Sequence, residues 1–382
     1  MTDLERILPL WRELESNGSD YVLTTVVGVE GPSYRKPGAL MLITADGRRA
    51  GTVSGGCLEA EVANRAWWLT KDGPILKRYS TAAEDGDRPY GSGCGGAVIL
   101  LLERGTTARV LLSAQDSAFR SRTPIAVATI VEGPQTGIRA VAEAASASAQ
   151  DASLKGLAEL AFKRGKSMES ALELDGTPTR VWCDFRPART GLWVFGAGDD
   201  AQPIVRLAKE LGWFVALADG RSHLATRERF PLADEIRVLK VTELTGQTAH
   251  LLGSIQPKDV VVLVSHSFEQ DSRVLAALLA GGVTVGYLGV LGPQSRTRER
   301  LVEAASIAGL AQERIPEQVE EWLAHLYAPM GLDMGAEAPE TIAFSILAEI
   351  QKVLARATAR PLREVRAAHV AKEATPTAAS TV

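Results

Sequence analysis

Two of the three cysteines in this 382-residue chain sit inside glycine turns. In Ser54-Gly55-Gly56-Cys57-Leu58-Glu59 a strand stops at paired glycines, and Cys57 falls where a helix should begin. A thiol there meets free backbone donors and the positive end of a helix dipole, and both favour thiolate over thiol. The theme returns in Gly91-Ser92-Gly93-Cys94-Gly95-Gly96, where glycines leave Cys94 uncrowded and expose backbone N–H groups ahead of an apolar strand. Either turn alone also suits a small buried cysteine, but two in one short region point to soft-sulfur chemistry. Neither loop ends in the Lys-Ser/Thr of a P-loop, and no HExxH motif or histidine cluster offers zinc ligands. An odd cysteine count without a CxxC pair fits neither a disulfide framework nor a zinc ribbon.

Three further constellations carry charge or hydroxyls. Gly31-Pro32-Ser33-Tyr34-Arg35-Lys36-Pro37-Gly38 is a turn-bounded loop whose hydroxyl, aromatic ring and two cations suit a phosphate and a flat ring, or simply a solvated loop. Gly196-Ala197-Gly198-Asp199-Asp200-Ala201 follows an apolar strand and opens a helix. This is the G-x-G-x-x-A turn of a Rossmann unit, with Gly196, Gly198 and Ala201 in the fingerprint positions and Asp219 ending the next strand where it can accept a ribose diol. Asp199 and Asp200 oppose an anion there, and Arg221 suits either a 2′-phosphate or solvent. Ser265-His266-Ser267, with Asp271 beyond it, ends another strand; Arg296 and Arg298 open a later helix, against its dipole, which suits an anion or a surface ion pair.

These motifs need elements to hold them. Residues 4–15 read as an amphipathic helix; Tyr21–Val29, Ala39–Ile43, Gly51–Ser54, Ala97–Leu102, Val110–Leu112 and Ile125–Val131 read as strands, and Cys57–Leu69 as a helix. Residues 140–153 are small and polar and form a weak seam, while Leu172–Arg186 alternates around Asp175-Gly176 as a hairpin. From Gly191 the pattern becomes strand, helix, strand: Gly191–Gly196, a helix over Asp200–Leu211, Phe214–Asp219, strands at 260–266 and 283–289, then helices over Gln294–Ala308 and Pro339–Ala357. The fold class is therefore α/β: a mixed α+β domain over 1–186 with a flexible seam near 140–170, a Rossmann-type doubly wound parallel sheet over 191–358, and a disordered tail over 359–382.

Apolar residues at 46% and charged residues at 23% are enough to build sizeable cores. Lys and Arg total 42 against 46 Asp and Glu, a net charge of −4, so nucleic acid and anionic lipid are disfavoured partners. No stretch reaches the roughly 18 apolar residues of a membrane helix, and Asp3, Glu5 and Arg6 stand where a secretory signal needs a basic start and an apolar run. A cytoplasmic location is the expectation.

In the order GPSYRKPG, GTVSGGCLE, GSGCGG, FGAGDDAQP, YLGVLGPQSR and GLDMGAEAPE, the sequence resembles the xanthine dehydrogenase accessory protein family, XdhC/CoxI. The resemblance implies an accessory domain followed by a Rossmann domain. It further implies a maturation factor, rather than an enzyme, that binds molybdenum cofactor and helps load it, sulfurated, into a molybdenum hydroxylase such as xanthine dehydrogenase or carbon monoxide dehydrogenase. On this reading Ser33, Tyr34, Arg35, Ser54, Gly55, Gly56, Cys57, Gly93, Cys94, Gly95 and Gly96 bind the cofactor, with Cys57 and Cys94 touching molybdenum through soft sulfur. Many members carry His where this chain has Asp199. Two alternatives stay open: an NAD(P)-dependent oxidoreductase built on Gly196, Gly198 and Asp219 with His266 as acid or base, and a sulfur-transfer protein holding a persulfide on Cys57 or Cys94, supplied by a cysteine desulfurase. A homodimer is expected on base rates.

Overall fold

The computed structural model describes residues 2–56, 58–80, 96–143, 153–244 and 255–365, in two compact units, Met1–Arg189 and Thr190–Val382. Cys57, Gly93, Cys94 and Gly95 lie outside the described residues, as do 144–152 and the tail from 366.

Unit 1 begins with α1 (Asp3–Ser16), started by a capping box in which the Thr2 hydroxyl accepts from the Glu5 amide and the Glu5 carboxylate accepts from the Thr2 amide. Its buried face, Ile7, Leu8, Trp11 and Leu14, lies on a five-stranded antiparallel sheet ordered β3-β2-β1-β5-β4, formed by β1 (Tyr21–Glu30), β2 (Leu40–Thr44), β3 (Arg49–Gly51), β4 (Ile75–Ser80) and β5 (Ala97–Arg104). β1 is apolar on both faces because both are covered. Tyr21 and Leu23 meet α1 and α3 (Gly105–Ser121), whereas Val22 and Val26 meet α2 (Glu59–Leu69). A second antiparallel sheet, ordered β7-β6-β9-β8, consists of β6 (Ile125–Glu132), β7 (Arg139–Ala142), β8 (Met168–Leu174) and β9 (Thr177–Arg186), and α4 (Leu154–Arg164) packs Ala158 and Ala161 onto it.

Unit 2 is a parallel sheet ordered β12-β11-β10-β13-β14, from β10 (Gly191–Phe195), β11 (Phe214–Asp219), β12 (Glu235–Val238), β13 (Val260–Leu263) and β14 (Tyr287–Val290). Alternation along the strands divides the two cores. Leu192, Val194, Val215 and Val262 face α5 (Ala201–Glu210) and α9 (Pro339–Leu354). Trp193, Phe195, Ala216 and Leu263 face α6 (Phe268–Leu275), α7 (Gln294–Ile307) and α8 (Ile315–Ala324). The Rossmann-type sheet and the mixed first unit agree with the fold class read from the sequence.

Several local expectations are corrected. Val110–Leu112 lies inside α3, where Ala108, Leu111, Leu112 and Gln115 form one buried helical face. The strand placed at Gly51–Ser54 ends at Gly51, because Val53 and Ser54 turn inward to donate to Glu59. The helix expected from Cys57 starts at Glu59, and the strand expected over 283–289 is confined to Tyr287–Val290. Within the stretch expected as a seam, β7 and α4 are packed elements.

Candidate functional site

The glycine turn before α2 is organised by one buried carboxylate. Glu59, 7% exposed, accepts from the amides of Val53 (3.1 Å) and Ser54 (2.8 Å) on Oε1, and from the Ser54 hydroxyl (2.6 Å) on Oε2. That hydroxyl in turn accepts from the amides of Gly56 (3.2 Å) and Leu58 (3.1 Å), the residues on either side of Cys57. Burial works to raise the Glu59 carboxyl, but the Ser54 hydroxyl and the surrounding amides outweigh it and hold it below the ordinary carboxylate range. Ser54 is thus a framework residue, and Glu59, absent from the sequence candidates, is its anchor. The Ser-to-Glu spacing within SGGCLE was the available signal.

The loop 31–38 touches both cysteine motifs at their described flanks. A Cβ on Gly55 would lie 3.6 Å from the Tyr34 ring, so that ring rests against the turn. A Cβ on Gly96 would collide with the carbonyl oxygens of Glu30, 2.6 Å away, and Pro32, so only glycine fits there. The same end of the sheet is fixed by the pairing of Glu30 with Ala97. Three motifs far apart in the sequence therefore converge through Gly55, Tyr34, Pro32 and Gly96.

Within that loop the residues have separate duties. The Ser33 hydroxyl donates to the Arg35 carbonyl (2.8 Å), closing the turn on itself. Arg35 is committed to the Asp3 carboxylate and donates through Nε to the Thr52 carbonyl (3.1 Å), so it pins the loop rather than offering a free charge. Tyr34 is 74% exposed. Beside it opens a cleft of about 490 Å³ lined by Tyr34, Arg35, Lys36, Asp184, Phe185 and Arg186. Cys183, the cysteine with a described environment, is fully buried; desolvation, with help from Asp184, pushes its thiol up to about 12, which keeps it inert.

In unit 2 the glycine turn is built but internally satisfied. Gly196 has φ +126°, and a Cβ would lie 2.7 Å from the Ser265 amide nitrogen, so β10 and the end of β13 meet only over glycine. Gly198 is more open, with the His266 ring 3.9 Å from its Cβ position, and Ala201 is fully buried at the start of α5. Asp219, expected from the sequence as a ribose acceptor, is engaged within the turn itself. It has no exposure, and its oxygens accept from the Ala197 amide (2.7 Å), the Arg221 amide (2.8 Å) and the Arg221 guanidinium (2.8 and 3.0 Å). Burial tends to raise this carboxyl, but the Arg221 and Ala197 donors hold it below its ordinary range. Asp199 pairs with Arg229 at 2.8 Å, and Asp200 lies 3.5 Å from His266. Arg298 pairs with Glu320 on α8, and the buried Arg300, missed in the sequence, contacts Asp271 at 3.1 Å. Among the described residues no group of three or more His, Cys, Asp or Glu side chains forms a metal site, and no helix is long and apolar enough to cross a membrane.

Comparison with known proteins places these features. The XdhC and CoxI family profile matches residues 14–80, and the XdhC Rossmann domain profile matches residues 192–350. A Bacillus subtilis (strain 168) protein, named as a probable subunit of xanthine dehydrogenase, is 30% identical over 86% of this chain and 92% of its own length. The molybdenum cofactor insertion chaperone PaoD of Escherichia coli (strain K12) is 26% identical over 92% of this chain and 90% of its own. A crystal structure described as a xanthine dehydrogenase from Bacillus halodurans superposes with a TM-score of 0.66 at 25% identity, covering 96% of this chain and all of that one. The chain belongs to the XdhC and CoxI family.

Proposed function

We propose that the protein is a molybdenum-cofactor accessory factor that holds the cofactor on unit 1 and passes it, in sulfurated form, to a molybdenum hydroxylase of the xanthine dehydrogenase kind. The observation that carries this reading is the convergence of loop 31–38 with the flanks of both cysteine motifs, through Tyr34 on Gly55 and Gly96 on Pro32 and Glu30. Two relatives spanning nearly the whole chain bear names that point the same way, one to a part of xanthine dehydrogenase and the other to a molybdenum cofactor insertion chaperone.

The residues present fit such a group. Glycines leave room for a large ligand to approach backbone, Tyr34 offers an exposed ring beside the turn, and the neighbouring cleft is of the size that takes a small cofactor. When bound, the cofactor supplies molybdenum, for which the soft sulfurs of Cys57 and Cys94 are the matching ligands. The chain's own contribution is to hold the turn through Glu59 and Ser54 and to fix the loop through Arg35. The test is to purify the protein from a cofactor-competent host and measure bound molybdenum and pterin. The double variant Cys57→Ala/Cys94→Ala should lose both, and full retention would overturn the arrangement.

A further inference from the structure

Unit 2 carries a groove that belongs to neither glycine turn. It has a volume of about 240 Å³ and lies between the middle of α5 and the segment 228–232 that follows β11, with Val205, Arg206, Glu228, Arg229, Phe230 and Leu232 in its lining. The segment is fixed by its own hydrogen bonds: the Phe230 amide donates to the Thr226 carbonyl (3.1 Å), the Ala233 amide to the Phe230 carbonyl (3.2 Å) and the Arg227 guanidinium to the Ala233 carbonyl. Val205 and Phe230 are each 2% exposed and form the apolar floor, whereas Leu232 stands 45% exposed. An exposed leucine beside a preformed apolar floor is area that a ligand can cover without first ordering the chain. The charges of the lining are loosely held. Arg206 comes no nearer to Glu340 than 3.8 Å, beyond hydrogen-bond length, and both side chains are more than half exposed, so this pair is worth little. Arg229 holds Asp199 through Nη2 (2.8 Å), and its Nε has no acceptor among the described residues. Glu228, exposed, is the carboxylate of the lining, which leaves two guanidiniums against one negative charge.

From this geometry we infer that the groove binds a small organic monocarboxylate with an apolar body, its carboxylate on Arg206 and its hydrocarbon over Val205, Phe230 and Leu232. The planar fork of a guanidinium matches the two oxygens of a carboxylate, and the ion pair that Arg206 would give up costs almost nothing to break. Arg229, which keeps Asp199, shapes the groove and adds positive potential rather than the main contact. The excess of one positive charge in the lining selects a single negative charge: a dianion would bring more charge than the groove neutralises, and Glu228 would repel the remainder. An acid without a hydrocarbon body would leave the floor and Leu232 uncovered, and a neutral amide would forgo the guanidinium. The groove lies within unit 2, so the inference stands apart from the cofactor reading of unit 1.

The experiment titrates the full chain with isocaproate, benzoate, acetate, isocaproamide and inorganic phosphate, each followed by ligand-observed NMR so that weak binding is measured. Arg206 and Leu232 are both exposed, so Arg206→Gln and Leu232→Ser should fold as the parent does. Isocaproate and benzoate should bind saturably and more tightly than acetate, isocaproamide or phosphate. Arg206→Gln should weaken both acids about fivefold or more, an effect that shrinks at high salt, because an exposed charge is screened. Leu232→Ser should weaken them about threefold and leave acetate unchanged, because it removes apolar contact and no charge. Absence of saturable binding by both apolar acids overturns the inference. So does affinity for isocaproamide, acetate or phosphate equal to theirs, or unchanged affinity in both variants.

Discussion

Replacing Glu59 by Gln tests whether one buried carboxylate holds the SGGC turn. The Gln carbonyl can keep the Val53 and Ser54 amides, but its NH₂ group then faces the Ser54 hydroxyl, whose two lone pairs already serve Gly56 and Leu58. One charge-assisted bond is lost and two are weakened, so the expected cost is about 2 kcal/mol, within the range for hydrogen bonds to buried charged groups. The buried thiol of Cys183 reports unit 1: pulse alkylation along a urea series, read on its peptide by mass spectrometry, follows exposure of that core. With a urea slope of ~2 kcal/mol per molar, the midpoint should fall by about 1 M. The pH dependence gives a second check. A carboxylate held below its ordinary range stabilises the fold above the unfolded pKa, and that contribution is lost as pH falls through the folded pKa. The gap between parent and Glu59→Gln should therefore narrow in acid, where both side chains are neutral. A midpoint unchanged at neutral pH, or a gap that widens in acid, would refute the reasoning.

The buried pair of Glu103 on β5 and Arg139 on β7, 0% and 1% exposed, joins the two sheets of unit 1, and Glu103→Gln should destabilise by about 3–5 kcal/mol while Glu103→Leu/Arg139→Met recovers most of the loss in the same urea assay. Equal damage from both changes would mean that the charge itself is not what matters. Burial pushes Asp271 up to about 6 against the opposing pull of the Ser265 hydroxyl, Arg300 and His266, so the folded state keeps a proton that the unfolded chain releases at lower pH. The stabilisation from that proton is present below the unfolded pKa and lost as pH rises through about 6; Asp271→Asn should remove this component from the pH dependence of unit 2 unfolding, and an unaltered profile would contradict it. Calorimetry with NAD⁺, NADH, NADP⁺ and NADPH should give no binding heat up to millimolar concentration, because Asp219 is sealed by Arg221 and Ala197; saturable binding would show that this contact opens.

What the sequence disclosed followed from period and burial. The strands of unit 2 are continuous apolar runs because both faces are covered, so Gly191–Phe195, Phe214–Asp219 and Val260–Leu263 stand out from the sequence alone. The edge strand β12 escaped notice because Glu235 and Arg237 break the apolar run and satisfy each other. α4 was missed because its buried face is built from Gly156, Ala158 and Ala161, which carry little hydropathy. At the site, residue types were legible but their commitments were not. Arg35 and Lys36 are adjacent cations in the sequence, and only the fold assigns one to Asp3 and leaves the other unpaired among the described residues. The Asp219–Arg221 pair was closer to legible, since a strand residue and the second one beyond it can return to each other across a turn.

The two glycine turns show why similar sequence motifs need not have similar capacity. A turn binds an anion when its backbone donors and nearby cations have no internal partner, since any protein carboxylate already present must be displaced and solvated before a ligand gains. In unit 2 the Ala197 amide is taken by Asp219, Asp219 is neutralised by Arg221, and Asp199 occupies Arg229, so a pyrophosphate would compete with carboxylates for every one of these donors. At the unit 1 turn the buried carboxylate, Glu59, is taken up by the turn's own amides and the Ser54 hydroxyl, while Tyr34 stays exposed and Lys36 makes no ion pair among the described residues. On this account the glycine at the start of the unit 2 turn serves the close approach of β10 to the end of β13.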